Sequence, residues 1–489
     1  MAPNCYFYKD YLITMKFLLT SVFAAALAFS LQAQDVSVDK KLGAENALLV
    51  EKEIGIYQHD SLYKLINTVG HKLVSRLTSN PFEFKFFLAD SPEPNAFALP
   101  GGYVYVTRGI LLLIQTEDEL AGIMAHEITH VTERHSVKQM KKGRIGGILQ
   151  IPGNIINAVT GTRLGNIINT PIGWGSQAFV SSYSRGHEKD ADSYGAKLAA
   201  LAGYNPNALA DALERLSKGI EIITGTKEKK NYFSDHPLTS SRIADLRKAN
   251  ANIRNDSSHY AGSTEDFQEK FNGLCFGPNP RQGVFMDSLF IHPEIGFSWM
   301  IPKGWKTANK PTAVGTYTEK GDAVAVLSVT ETKKTVSEIG EEVKNNALKS
   351  NAVILQSARD TTINSNKAYL MRLRDAERSD VFLEVMWIDL KGTVFQLAGV
   401  FTPPNRKIVH EALCSFRKSL PDELSMVNQL ELQIVHSQKS ESISQLSERT
   451  SNKLNVTLTA LINDLKQDAT LDENRVVKII RGVPYQVHN

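Results

Sequence analysis

Two histidines four residues apart, His126 and His130 in the stretch AHEITH, flank Glu127 and carry the strongest chemical signal in this chain. On a helix that step returns a side chain to the same face one turn on, so both imidazoles can grip one Zn2+. Bound zinc pulls the pKa of its water from about 15.7 towards roughly 7. Glu127, beside the metal, is then placed to accept the proton as the water attacks a peptide carbonyl. Two histidines leave the metal short of ligands, and about sixty residues on GHEKDAD offers Glu188 and Asp192, again one turn apart. Glu188 would complete the three protein ligands usual in a catalytic zinc site and leave one position for water. Asp192 suits a supporting role, accepting the free N–H of a ligand histidine and so fixing its tautomer. Two solvated histidines and a solvated acidic helix face are the bland alternatives, and the coincidence of the two motifs weighs against both.

Both motifs need helices. Thr116-Glu117-Asp118-Glu119 has capping-box spacing with acids in the first turn, so a helix is expected to start near Thr116 and carry AHEITHVTERH. A second should begin near Ser184 and close at Gly203, with Pro206 beyond it. Upstream, Leu62, Leu65, Ile66, Val69, Leu73 and Leu77 recur at three and four residue steps, predicting an amphipathic helix within 38–79. FEFKFF and YVYVT, on either side of the turn at Gly101-Gly102, read as strands, and NAFALPGGYVYV should form a sheet edge. Between Ile145 and Ser184 the only charged residue is Arg163. That segment reads as a helical hairpin covering the cleft or, alternatively, a membrane-touching flap; Pro152 and several Asn argue against a plain span.

With these pieces in view, AHEITHVTERH, SSYSRGHEKDADSYGAKLAALAGYNP and HPLTSSRIADL, in this order, resemble the HtpX-type and CAAX prenyl protease-type metallopeptidases, metallopeptidase family 48. The resemblance covers about residues 40 to 250 and is closest to the secreted, periplasmic branch. It implies a mainly helical zincin (gluzincin) domain with a small edge sheet. It implies His126, His130 and Glu188 as ligands of one Zn2+ per chain, Glu127 as base and Asp192 as the supporting acid. It also singles out His236 of the His-Pro motif, near the metal as an oxyanion partner or a cap, and Arg242 as the organiser of that corner. His59, His135 and His187 are expected to be solvated or structural, and Tyr183 a packed tyrosine.

The rest of the 489 residues bounds the answer further. The 55 basic residues nearly balance 52 acidic ones, without the one-sided run that nucleic acid would require. FLLTSVFAAALAF after Met15-Lys16 reads as a signal-peptide core, too short for a comfortable span, which predicts a periplasmic or extracellular protein without a firm membrane span. Cys275 and Cys414 are the cysteines beyond it, and one disulfide between them is allowed. The expected architecture is α+β and multidomain: an extension and signal peptide at 1–34, the peptidase at 35–255, a linker at 256–285, an α+β module of unknown role at 286–422 and a βααβ unit at 425–489. That last unit resembles a LysM module, with Lys439-Ser440-Glu441 where its usual glycine-aspartate-threonine turn would stand. The resemblance implies peptidoglycan as a partner beside polypeptide substrates such as envelope or misfolded proteins; a helical tail packed on the protease and a LysM-shaped protein-interaction unit are the alternatives for that segment. A non-catalytic envelope chaperone or peptidoglycan-binding protein with a gated site is the competing reading.

Overall fold

A computed structural model describes residues 36–141, 183–224, 232–237, 241–251, 253 and 264–487. The signal-peptide core and most of the uncharged segment lie outside the described residues. The helical pattern after Val36 divides into two elements, α1 over 36–53 and α2 over Asp60–Val74. Gly55 at φ +86° breaks the run, in a conformation that side chains with a Cβ rarely adopt. The apolar stripe of α2 (Leu62, Leu65, Ile66, Val69, Leu73) is buried as its spacing predicts.

Three strands follow, β1 (Lys85–Ala89), β2 (Ala96–Leu99) and β3 (Tyr103–Thr107), in the order β1-β3-β2. β1 runs parallel to β3 with Lys85 opposite Tyr103; β2 is antiparallel to β3 with Ala96 opposite Val106, and it forms the sheet edge. The helices are α3 (Arg108–Leu113), α4 (Glu117–Thr132), α5 (His135–Lys141), α6 (Arg185–Leu201), α7 (Ala208–Thr224), the single turn α8 (Tyr232–Asp235) and α9 (Arg242–Asn250). Leu120, Ile123, Met124 and Ile128 of α4 join Leu209, Leu213 and Leu216 of α7 in one core with the stripe of α2.

The stretch read as a linker is more ordered than its Ser, Gly, Asn and Pro content suggested. It carries α10 (Thr264–Glu269), β4 (Cys275–Phe276) and β5 (Val284–Met286). β4 is recruited by a partner distant in sequence, Cys275 pairing with Glu431, which no local pattern encodes. The next module holds a seven-stranded sheet in the order β11 (Val353–Ile363), β12 (Asn366–Asp375), β13 (Phe382–Leu390), β14 (Thr393–Phe401), β10 (Ala323–Thr330), β9 (Ala313–Tyr317) and, at one end, β8 (Lys306–Lys310). Every neighbouring pair in it is antiparallel. Side chains of Phe382–Leu390 alternate between faces: Val385 and Trp387 pack with Val343 of the helix Val336–Lys349, Met386 and Ile388 with Val409 of Arg406–Cys414. The second of these helices escaped the sequence reading. Both Cys275 and Cys414 are free thiols.

At the C-terminus β16 (Asn428–His436) pairs antiparallel with β19 (Val476–Pro484), and two short helices, Ile443–Thr450 and Val456–Ile462, lie between them. This βααβ unit is sewn to the peptidase helices. The Lys478 ammonium donates to Leu112 O at 3.1 Å and Ile114 O at 2.9 Å, and Gln115 Nε2 donates to Ile462 O at 2.5 Å.

Candidate metal centre

Helix α4 begins where its capping residue dictates, Thr116 Oγ1 accepting from Glu119 N at 3.2 Å. The reciprocal half of a capping box is replaced: Glu119 Oε2 accepts from Gln115 N at 2.8 Å and pairs with Arg215 at 2.7 Å. So anchored, α4 points His126, Glu127 and His130 into the interior, each at most 1% exposed. Helix α6 starts at Ser184, whose Oγ accepts from His187 N, and brings Glu188 and Asp192 to the same point. The two helices meet closely because residue 195 lacks a Cβ. One placed there would stand 3.0 Å from His126 N and 3.1 Å from His126 Cα.

Among the described residues, the group able to hold a metal ion is His126, His130, Glu188 and His236, all buried, with one ligand atom of each within 4.8 Å of the others. His126 Nε2 lies 3.0 Å from His130 Nε2 and 3.2 Å from His236 Nδ1. Glu188 Oε1 lies 3.4 Å from His130 Nε2 and 3.2 Å from His236 Nδ1. The four-residue steps therefore brought their side chains together, and His236, named from its motif, enters the cluster itself. Asp192 Oδ1 stands 3.0 Å from His126 Nδ1. Arg242 donates to both Asp192 oxygens at 2.9 and 2.8 Å, lies 2.8 Å from Glu188 Oε2, and donates to His236 O at 3.2 Å.

This donor set fits a zinc ion. Imidazole nitrogens and a carboxylate are the ligand types zinc takes, and lone pairs converging from three rings cannot all be satisfied by one another's protons. Both Glu127 oxygens are buried without a hydrogen bond, and His236 Nε2 stands 3.4 Å from Oε1. Burial pushes the Glu127 carboxyl up to about 8, with the His236 charge opposing. For His236 burial works downward, but the Glu127 and Glu188 charges prevail and raise it to about 9. Burial holds His130 well below the usual imidazole range and lowers His126, which keeps both as neutral donors of a lone pair. Glu188 stays ionised: burial would raise its pKa, but the His236 charge and the hydrogen bond with His130 hold it well below the ordinary value.

Other side chains surround the cluster, of which Tyr232, Asp235 and Asn95 were not singled out from the sequence. His135, expected to be solvated or structural, is buried with Nδ1 3.0 Å from His130 Nδ1 and is stacked on His187. Its place, five residues after His130 across the end of α4, gave no periodic signal. Tyr183 is packed as expected, its ring 3.8 Å from that of His130 and its hydroxyl 3.0 Å from Ser136 Oγ. Tyr232 stacks on His236 at 4.4 Å; the four-residue step between them is the signal that could have found it. Asp235 accepts from Asn95 Nδ2 at 3.1 Å and ties the His236 turn to the start of β2. His59 lies apart, beside Ser61.

Comparison with known proteins adds a lineage to this geometry. The sequence profile of Peptidase family M48 matches residues 63–250. The chain is 31% identical over 209 residues to the beta-barrel assembly-enhancing protease of Escherichia coli K12, 42% of each protein being covered. It is 26% identical over 235 residues to metalloprotease LoiP of the same organism, covering 47% of this chain and 86% of that one. The chain spans about two fifths of the length of the beta-barrel assembly-enhancing proteases it matches. The solution structure of PsbP from Synechocystis sp. PCC 6803 matches 28% of this chain and 95% of that one at 13% identity with a TM-score of 0.23, too low to carry an argument.

Proposed function

We propose that the chain, whose residues 63–250 match the profile of Peptidase family M48, is a zinc-dependent endopeptidase of the gluzincin type, with one Zn2+ per chain held by His126, His130 and Glu188. The observation that carries the proposal is the buried convergence of these ligand atoms with His236 beside a Glu127 carboxylate that accepts no hydrogen bond. A bound Zn2+ would polarise the scissile carbonyl and acidify the attacking water.

The remaining chemistry belongs to the chain. Glu127, with its carboxyl raised towards neutrality, accepts the proton of the attacking water and returns it to the leaving amine. His236 presents Nε2 on the Glu127 side of the cluster, where a protonated ring donates to the carbonyl oxygen as it gains charge. Asp192 Oδ1, 3.0 Å from His126 Nδ1, favours the tautomer that leaves Nε2 free, and Arg242 holds Asp192 and Glu188 in register. The substrate lies as an extended strand along the open side of β2, gaining main-chain hydrogen bonds.

Its substrates on this reading are envelope or misfolded polypeptides in the periplasm or outside the cell, reached after removal of the N-terminal signal. The naming of relatives for β-barrel assembly supports that setting. Among the described residues no helix is long and apolar enough to cross a membrane. The C-terminal βααβ unit enters as part of the protease body, since Lys478 and Ile462 bind the turn that starts α4. The test is zinc content and cleavage of an unfolded protein by the full chain and by Glu127→Gln. Zinc in both with cleavage only by the first is expected; equal cleavage would overturn the role of Glu127, and a zinc-loaded wild type without cleavage would overturn the activity.

A further inference from the structure

Away from the metal centre, the peptidase domain, the loop after β4 and the edge of the large sheet enclose a cavity of about 590 Å³. Its walls are largely apolar, with Ile54, Pro92, Phe276, Phe285, Met426 and Leu430 among them. The polar floor is occupied with itself. Arg108 Nε donates to Asp90 Oδ1 at 2.7 Å, and Asn279 Nδ2 and Gln282 Nε2 each donate to Asp90 Oδ2 at 2.7 Å. At the rim Lys310 pairs with Glu53. With these charges already matched, the apolar walls are what the cavity offers a ligand.

Two strands that line it are sheet edges: β5 ends the four-stranded sheet that it forms with Leu289–His292, Phe297–Met300 and Arg417–Lys418, and β8 ends the seven-stranded sheet. An edge strand offers backbone N–H and C=O groups to an incoming extended chain. The cavity also adjoins the site through Asp90-Ser91-Pro92-Glu93-Pro94-Asn95. The first four of these residues line it; the last two bind the His236 turn, Tyr232 N donating to Pro94 O and Asn95 donating to Asp235. From Glu93 to the start of β2 at Ala96 is three residues, on the order of 10 Å of extended chain.

We propose that this cavity is an exosite holding an extended apolar segment of polypeptide, a short chain length from the β2 edge. Binding in the cavity needs no catalysis; its service to cleavage rests on the peptidase reading above. An apolar lining between two strand edges, with Asp90 paired to Arg108 and Glu53 to Lys310, recognises hydrophobic side chains on an extended backbone and discriminates against acidic or strongly polar segments.

The test uses full-length Glu127→Gln protein and a benzophenone-bearing hexapeptide of Val, Leu and Phe, with a Ser/Glu hexapeptide as control. Crosslinks are mapped by mass spectrometry. Attachment to Phe285 or to Thr307–Lys310 is expected. It should fall at least about tenfold in Met426→Asp and in Ala308→Trp, which respectively charge and fill the cavity. Met426 is 49% exposed, so the first change leaves the core intact. Crosslinks confined to α4, α6 and β2, undiminished labelling in both folded variants, or equal labelling by the polar control would overturn the proposal. In the Glu127 background Met426→Asp should raise KM for an unfolded protein, leaving kcat/KM for a four-residue peptide unchanged; equal loss on both would remove the exosite role. A wild type that cleaves nothing but labels as described would refute the peptidase reading alone.

Discussion

Lys478 is fully buried, at 0% exposure, with its ammonium on the carbonyls of Leu112 and Ile114 at the turn that precedes α4. Burial pulls its pKa down to about 7, helped by the Arg215 charge and opposed by Glu119 and Asp464. An unfolded lysine titrates near 10.5, so between the two values the unfolded chain holds one more proton. Stability from this group therefore rises as pH climbs through that window and is lost as pH falls back through it, levelling off below about 7. Each pH unit there is worth about 1.4 kcal/mol. From pH 7, where the native group is half protonated, to pH 9 the gain is about 2.3 kcal/mol, on the order of a sixth to a half of a typical folding free energy. Lys478→Met removes the titration. Its two orphaned carbonyls cost roughly 1–3 kcal/mol each, but by an amount that does not vary with pH. The assay is native-state hydrogen exchange of peptides from Val476–Pro484, with intrinsic exchange rates divided out, for both proteins at pH 6, 7, 8 and 9. The stability advantage of wild type over the variant should widen by about 2.3 kcal/mol between pH 7 and pH 9. Parallel profiles would refute the buried-charge argument and leave Lys478 as an ordinary packing residue.

Three further outcomes follow from the site. His126→Ala should lose zinc on dialysis, because a cluster robbed of its central nitrogen forfeits most of its binding free energy; full metal occupancy by mass spectrometry would contradict that. Arg242→Lys should weaken zinc affinity by about 10–100-fold, since a single ammonium cannot replace the two-pronged grip on Asp192, and a competition titration with a chelator reads the change. Gly195→Val should push α6 off α4 by crowding His126 N and Cα, lowering the melting temperature by several degrees for a loss of about 1–3 kcal/mol; an unchanged melting curve would show that the helices have slack.

The sequence by itself determined the pieces whose geometry is local. A four-residue step on a helix is one turn whatever surrounds it, so His126 with His130 and Glu188 with Asp192 were legible as pairs, and Thr116 and Ser184 as the starts of their helices. The stripe of α2 was legible for the same reason. What only the tertiary structure decided are relations between positions far apart in the chain. Gly195 against His126, Tyr232 and Asn95 around the His236 turn, and His135 behind His130 across the end of α4 leave no period to read. The stretch before β5 read as a linker because β4 exists only through its pairing with β16. The C-terminal unit read as separate because nothing near Lys478 in sequence tells that its charge would be sealed against Leu112 and Ile114, more than three hundred and sixty residues away. Hydrogen-bond geometry along a helix is a property of consecutive residues, whereas burial and the approach of distant charges are properties of the assembled chain, and together they set the charge states on which this site depends.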